Sequence, residues 1–206
     1  MQGFSLSVPR RWQGLVNAAV YITGFIPAIW YFYLGATNQL GADPVKSFEQ
    51  ALGLWALRFL ILTLAISPLR DILGWNFIRY RRALGLLSFY YALMHLAAYL
   101  LLDLAMDFST LWDDVVKRPF IMFGMAALGL LVPLALTSNN FSIRKMGRKW
   151  IWLHRLIYGV AVLVLLHFSL SAKVLSLDHY FYIALIILML LYRVRRALKR
   201  KLRKLK

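Results

Sequence analysis

The chain has 206 residues, 61% of them hydrophobic, and carries a formal charge of +17 at pH 7, from 25 Lys and Arg against 8 Asp and Glu. Basic residues that punctuate long apolar runs describe a polytopic membrane protein; a soluble nucleic-acid binder would instead show a basic face on a packed core, so nucleic acid is excluded as a partner. There is no cysteine, which excludes disulfides, thiolate-held clusters and cysteine catalysis, and leaves metal or redox chemistry to the four histidines, the acids or a bound organic cofactor.

Apolar runs follow in chain order near 12–34, 51–66, 83–102, 120–136, 151–170 and 180–192, each close to bilayer length or somewhat short of it. Helices are the simplest way to satisfy so much backbone inside hydrocarbon. The expected fold is therefore all-α and integral to the membrane: a bundle of six transmembrane helices forming one domain over 1–206, with a basic tail at 193–206. The first run follows Arg10 and Arg11; it is too long and aromatic for a secretory leader, has no convincing small-residue cleavage site behind it, and is read as a retained helix. The second and sixth runs are short, and Lys and Arg near their ends can snorkel to the interface. Pro27 and Pro133 fall inside runs, where neighbouring helices can satisfy the carbonyls they free.

Orientation follows from the connecting segments. Arg10, Arg11, Arg70, Arg79, Arg81, Arg82, Arg144, Lys145, Arg148, Lys149 and nine basic residues of the tail fall on one side, nineteen in all, whereas Lys46, Lys117, Arg118 and Lys173 fall on the other. The positive-inside rule then places both termini in the cytoplasm. Seven of the eight acids, Asp43, Glu49, Asp103, Asp107, Asp113, Asp114 and Asp178, are assigned to the opposite loops.

Ionisable residues deep in a span usually mark a site, and three positions qualify. Arg58, nine residues after Glu49, lies about 13 Å into the second span. It is read either as the partner of a haem propionate or as a side chain that snorkels or bonds a neighbouring helix. His95 on the third span and His167 on the fifth lie about 12 and 9 Å from the outer boundary, by the helical rise from Asp103 and Lys173. Spans three and five run in the same direction, so these two imidazoles can ligate one haem iron from opposite faces. The competing use is a polar bond between helices, worth on the order of 1 kcal/mol, or a proton or ion path, for which the spans offer no evident carboxylate relay.

His154 lies about 7 Å from the inner boundary, where an interfacial residue needs no special role. Its thirteen-residue spacing to His167 separates the two by about 20 Å along the helix, enough for stacked haems, but leaves them roughly 140° apart around it. A shared face would need a bulge or bend, placed near Gly159, unless the two histidines address different neighbours. His179, at the outer end of the sixth span, is read as an ordinary interfacial residue.

These residues lie within a longer pattern: LGADPVK at 40–46, SPLR at 67–70, RRALGLLSFYYALMH at 81–95, KRPF at 117–120 and GRKWIWLHRLIYGVAVLVLLH at 147–167. In that order and at that spacing the chain resembles the MsrQ (YedZ) family, the haem-binding membrane subunits of bacterial methionine sulfoxide reductase systems, within the ferric-reductase-like transmembrane proteins. The resemblance implies b-type haem, an FMN in some members, electrons drawn from the quinone pool, residence in the bacterial inner membrane, and a periplasmic molybdenum-containing partner, MsrP, that reduces methionine sulfoxide. Haem iron performs the one-electron step while the helices hold and tune it.

The resemblance also implies a relation to the membrane part of NADPH oxidases, which carry a second histidine on the third span about one haem spacing inward of the first; here the position fourteen before His95 is Arg81. One firmly bound haem, on His95 and His167, is therefore expected. His154 is left either as a ligand of a weaker second haem or as part of a quinone or flavin site. An FMN would have to use the basic loops Arg79–Arg82 or Arg144–Lys149 with Trp75, Trp150 and Trp152 beside them, although each tryptophan alone reads better as an interfacial anchor. Two competing functions stay open: a haem-containing ferric reductase, whose acidic outer segment Asp103–Asp114 would attract cations, and a non-redox transporter or assembly factor.

Overall fold

The computed structural model describes residues 9–172 and 174–202. Lys173, the boundary used above for His167, and tail residues 203–206 lie outside the described residues. Every described element is helical. In chain order they are a 3-10 turn (Arg10–Trp12), α1 (Gln13–Ala36), α2 (Pro44–Leu73), a 3-10 turn (Ile78–Tyr80), α3 (Arg81–Ala98) running on into a π-helical turn (Tyr99–Asp103), α4 (Phe108–Lys117), α5 (Pro119–Leu136), α6 (Asn140–Met146), α7 (Arg148–Leu153), a 3-10 turn (His154–Leu156), α8 (Ile157–Ser171) and α9 (Leu177–Leu202).

Five stretches are long and apolar enough to cross a membrane: Gln13–Ala36, Pro44–Leu73, Ile78–Asp103, Pro119–Leu136 and Arg148–Ser171. The sixth expected run lies within α9, which packs against α2 and α8. Helix α2 outreaches its apolar run of 51–66 at both ends, because its limits are set by caps and not by hydropathy. Asp43 accepts the Lys46 N–H at 3.0 Å ahead of Pro44 in the first turn, and Gly74, at φ 74°, closes the other end by turning its N–H back to Arg70. Glu49, assigned above to a loop, is consequently helical. Helices α4 and α6 fall in segments read as loops, and each starts at a side-chain cap, Asp107 and Asn139 respectively.

Helices α2 and α3 pack along their length, as do α5 and α8; α1 lies against the first pair, and α3 touches α5 to join the two. Helix α2 is the spine. Its Leu57, Leu60, Ile61 and Leu64 are buried with Leu131, Val160, Ala161 and Ile186, while its Leu52 and Phe59 are buried with Ala28, Leu87, Tyr91 and Ala98. Residues such as Ile22, Phe32, Leu136 and Leu188 point outward, the surface a lipid environment requires.

Helix α1 is fastened by Tyr91, which is fully buried. Its hydroxyl donates to the Gly24 carbonyl at 2.7 Å and accepts the Ala28 N–H at 3.0 Å. Those two groups are the ends of one i to i+4 helical hydrogen bond beside Pro27, so the hydroxyl bridges the ladder where the proline weakens it. Gly24 permits the approach, since a Cβ there would sit 2.5 Å from Leu87 Cδ1.

Candidate functional site

His95, near the end of α3, and His167, on α8, come from different helix pairs, yet their ring centres are 6.2 Å apart with planes at 74°. One device, used twice, holds them. His95 Nδ1 is 2.9 Å from the backbone carbonyl of Glu49 on α2, and His167 Nδ1 is 2.7 Å from that of Phe120 on α5. Four residues further along each of those helices stands a glycine under the same imidazole. A Cβ on Gly53 would lie 3.1 Å from His95 Cε1 and Nδ1, and one on Gly124 would lie 2.8 Å from His167 Nδ1. Residues four apart share a helix face, so each pair forms one seat: a carbonyl that fixes the ring and a gap that admits it.

A carbonyl only accepts, so each Nδ1 carries the proton and each Nε2 keeps its lone pair. That is the tautomer of a histidine prepared to bind a metal through Nε2, oriented by the hydrogen bond at its other nitrogen. The His95 side chain keeps 27% of its surface accessible, with Glu49 Oε1 at 4.0 Å from Nδ1; the ring is anchored without being enclosed.

Arg58 is committed within the protein. Its Nε donates to the Tyr182 hydroxyl of α9 at 2.8 Å, and its guanidinium lies 4.7 Å from the Trp55 ring centre. Beside it the Trp55 indole nitrogen is buried without a hydrogen-bond partner, a costly state for a donor.

His154 is placed differently from the other two. It stacks on Trp150 with ring centres 3.9 Å apart, and its Nε2 is 3.1 Å from Thr137 Oγ1. The Thr137 hydroxyl donates to the Pro133 carbonyl at 2.6 Å. Nε2 is therefore the donor to it, and the lone pair falls on Nδ1, the reverse of His95 and His167. The helix is unbroken around Gly159, and the departure from α-helical winding is the 3-10 turn that starts at His154 itself. Tighter winding over that turn narrows the angular offset from His167 from about 140° to about 80°. Arg81 lies within electrostatic reach of His154. His179 bonds Ser176 in its own turn and stacks on Phe168.

The basic loops meet at one end, where Arg82 donates to Asn140 Oδ1 at 2.7 Å. Trp150 donates to the Thr137 carbonyl at 2.9 Å, Trp152 lies under Arg155, and Trp75 packs on Phe77. Each of these tryptophans thus has a structural partner. Sequence reasoning missed Gly53, Gly124, Tyr182 and Trp55, as well as the two carbonyls. The signal for the glycines was their position, one turn along a neighbouring span at histidine depth.

Comparison with known proteins finds a family model described as "Ferric reductase like transmembrane component" over residues 52–165. The chain is 56% identical over 188 residues to proteins of Brucella ovis, Brucella canis and Brucella melitensis, covering 91% of this chain and 84% of each relative. Each of these relatives is named protein-methionine-sulfoxide reductase heme-binding subunit MsrQ. No solved structure matches the chain.

Proposed function

The chain belongs to the ferric reductase like transmembrane component family and, within it, to the MsrQ family, and from that premise we propose that it is a haem b subunit carrying electrons across the bacterial inner membrane. The donor is the quinone pool, and the acceptor is a periplasmic reductase, MsrP, that repairs oxidised methionines. Six spans with both termini in the cytoplasm put His95 and His167 toward the periplasm, the side of the acceptor.

The observation that carries this proposal is the separation of the two imidazoles. Two metal–nitrogen bonds of about 2 Å, plus roughly 1 Å from each nitrogen to its ring centre, span about 6 Å, and the ring centres stand 6.2 Å apart. The donor set fits as well: two neutral imidazole nitrogens with free lone pairs, on His95 and His167, would hold the iron of a haem. When bound, the haem contributes reversible one-electron chemistry. The work of the chain is to hold it: His95 and His167 would hold the iron, while the Glu49 and Phe120 carbonyls fix the imidazole tautomers and Gly53 and Gly124 leave room for the rings. Arg58, with the unpartnered Trp55 N–H beside it, suits a propionate carboxylate.

His154, Arg81 and the basic loops occupy the cytoplasmic half. We assign that region to electron entry, with His154 as part of a quinone or flavin site or of a weaker second haem; its reversed tautomer favours the former. An FMN would draw on the cations of Arg79–Arg82 and Arg144–Lys149.

The ferric reductase alternative depends on free acids outside the bundle. Asp107 is committed to capping α4, Asp113 to Lys117, and Asp114 to Tyr99 and Arg118, which leaves few to collect cations. A transporter would need a relay of carboxylates, but the two on α2, Glu49 and Asp71, stand about 33 Å apart along it. The test mixes the reduced protein, in membranes, with MsrP or with a ferric chelate. Faster haem reoxidation by MsrP is the expected result; faster reoxidation by iron selects the reductase, and no haem absorbance after expression with ample haem supply refutes both.

A further inference from the structure

Helix α4 has three faces, not two. Asp114 is buried at 8% exposure, and Leu111 and Val115 are half-buried, on the side packed against the bundle. Phe108, Trp112 and Val116, four residues apart, form a second strip, with exposures of 60%, 69% and 65%. Asp113 and Lys117 pair with each other on a third, exposed strip that also carries Thr110. At 100° per residue the strips follow one another around the helix as protein-facing, apolar and polar.

The rotation of α4 is fixed. Asp114 accepts from the Tyr99 hydroxyl on the π-helical turn, one turn beyond His95, and from Arg118 Nε at 2.9 Å. The Asp107 cap holds the other end, accepting the N–H groups of Ser109 and Thr110 at 2.9 and 3.2 Å. The helix is also tethered at both ends: one stretch long and apolar enough to cross a membrane ends at Asp103 and the next begins at Pro119. In the chain just before and after α4, Leu101, Leu102, Met106 and Met122 are likewise exposed and apolar.

We propose that α4 lies along the membrane interface on the His95 side, with Phe108, Trp112 and Val116 seated among lipid headgroups and upper acyl chains. Asp113 and Lys117 face water. An aromatic and aliphatic strip beside a charged one is the pattern of an interfacial helix, and tryptophan is enriched at that depth. The lipid surface is the occupant, and the Tyr99–Asp114–Arg118 clasp sets the angle at which the helix meets it.

The absence of cysteine makes the test direct. Single substitutions Phe108→Cys, Trp112→Cys, Val116→Cys and Asp113→Cys are spin-labelled in the full chain. They are then reconstituted in vesicles of phosphatidylethanolamine and phosphatidylglycerol. Collision with oxygen, which partitions into lipid, is compared with collision with a water-soluble nickel chelate. The expected ratio is above one at 108, 112 and 116 and below one at 113. Should Trp112→Cys fail to fold, positions 108 and 116 still report the same strip. Labels on the strip that meet the nickel chelate as readily as the label at 113 overturn the proposal, leaving the face bare for a soluble partner. Labels shielded from both reagents also overturn it, since a second copy of the chain then covers the strip.

Discussion

The imidazoles of His95 and His167 reach each other from separate helix pairs, 6.2 Å between ring centres, and each is turned by a hydrogen bond from Nδ1 to a carbonyl of the helix packed beside it. The two seats are alike in construction: Glu49 with Gly53 on α2, Phe120 with Gly124 on α5. The orientation of both rings is thus set by backbone, and the side chains that matter most to it are ones that are absent.

A methyl group at either glycine should therefore disturb the site more than the fold. The Cβ of Gly124→Ala would stand 2.8 Å from His167 Nδ1, and that of Gly53→Ala 3.1 Å from His95. Overpacking of this kind costs about 1–3 kcal/mol. Haem content and the low-spin spectrum should fall in both variants, further for Gly124→Ala. Gly129→Ala, where nothing lies within 4 Å, should be neutral or stabilising by up to about 1 kcal/mol through helix propensity. Haem titration and thermal unfolding of the three variants check the order.

Arg58 offers a separation of roles. Tyr182→Phe removes the acceptor of its Nε and should cost about 1 kcal/mol of stability while leaving the haem spectrum in place. Arg58→Ala withdraws the cation as well and should lower the haem midpoint potential, because a positive charge near a propionate favours the reduced iron. A potentiometric titration in which the two variants shift alike would assign Arg58 to helix packing only.

Tyr91→Phe tests how α1 is held. It leaves the Gly24 carbonyl and the Ala28 N–H without their bridge in a buried setting. The expected loss is about 1–3 kcal/mol, read by chemical unfolding in detergent, with the haem signal preserved, since the lost hydroxyl bonds α1 and not a histidine.

The cap of α4 has a predictable pH range. Hydrogen bonds from Thr110, and then Ser109, hold the Asp107 carboxyl down to about 2. The folded value is thus below the unfolded one of about 3.9, so the cap stabilises the helix above about pH 4 and is lost as pH falls through about 2. Amide exchange at Ser109 and Thr110, corrected for intrinsic rates, should show protection that is flat from neutral pH to about 4 and declines only below it. Asp107→Ala should lose that protection at neutral pH.

Much of the fold was legible because bilayer length and helical rise are strong rulers. Five of the six apolar runs coincide with helices long and apolar enough to cross a membrane, and counting residues from charged boundaries put His95 and His167 at one depth. The same rulers failed where caps and not hydropathy decide: α2 starts at Asp43 and ends at Gly74, well outside its apolar run, and α4 and α6 were hidden in polar segments. They also say nothing about rotation around a helix. The commitment of Arg58 to Tyr182, the reversed tautomer of His154 and the break at the 3-10 turn all depend on which way a side chain points. The glycine seats were invisible for another reason: a glycine in an apolar run reads as a weak spot until the ring that needs its space is known.

The most direct test of the central claim is the haem signal of His95→Ala and His167→Ala, by optical absorption and low-temperature electron paramagnetic resonance, at a measured haem-to-protein ratio. The paired-ligand account predicts a low-spin signal in the unaltered chain that is lost in both variants and kept in His154→Ala. Retention of the low-spin signal in either His95→Ala or His167→Ala would contradict it.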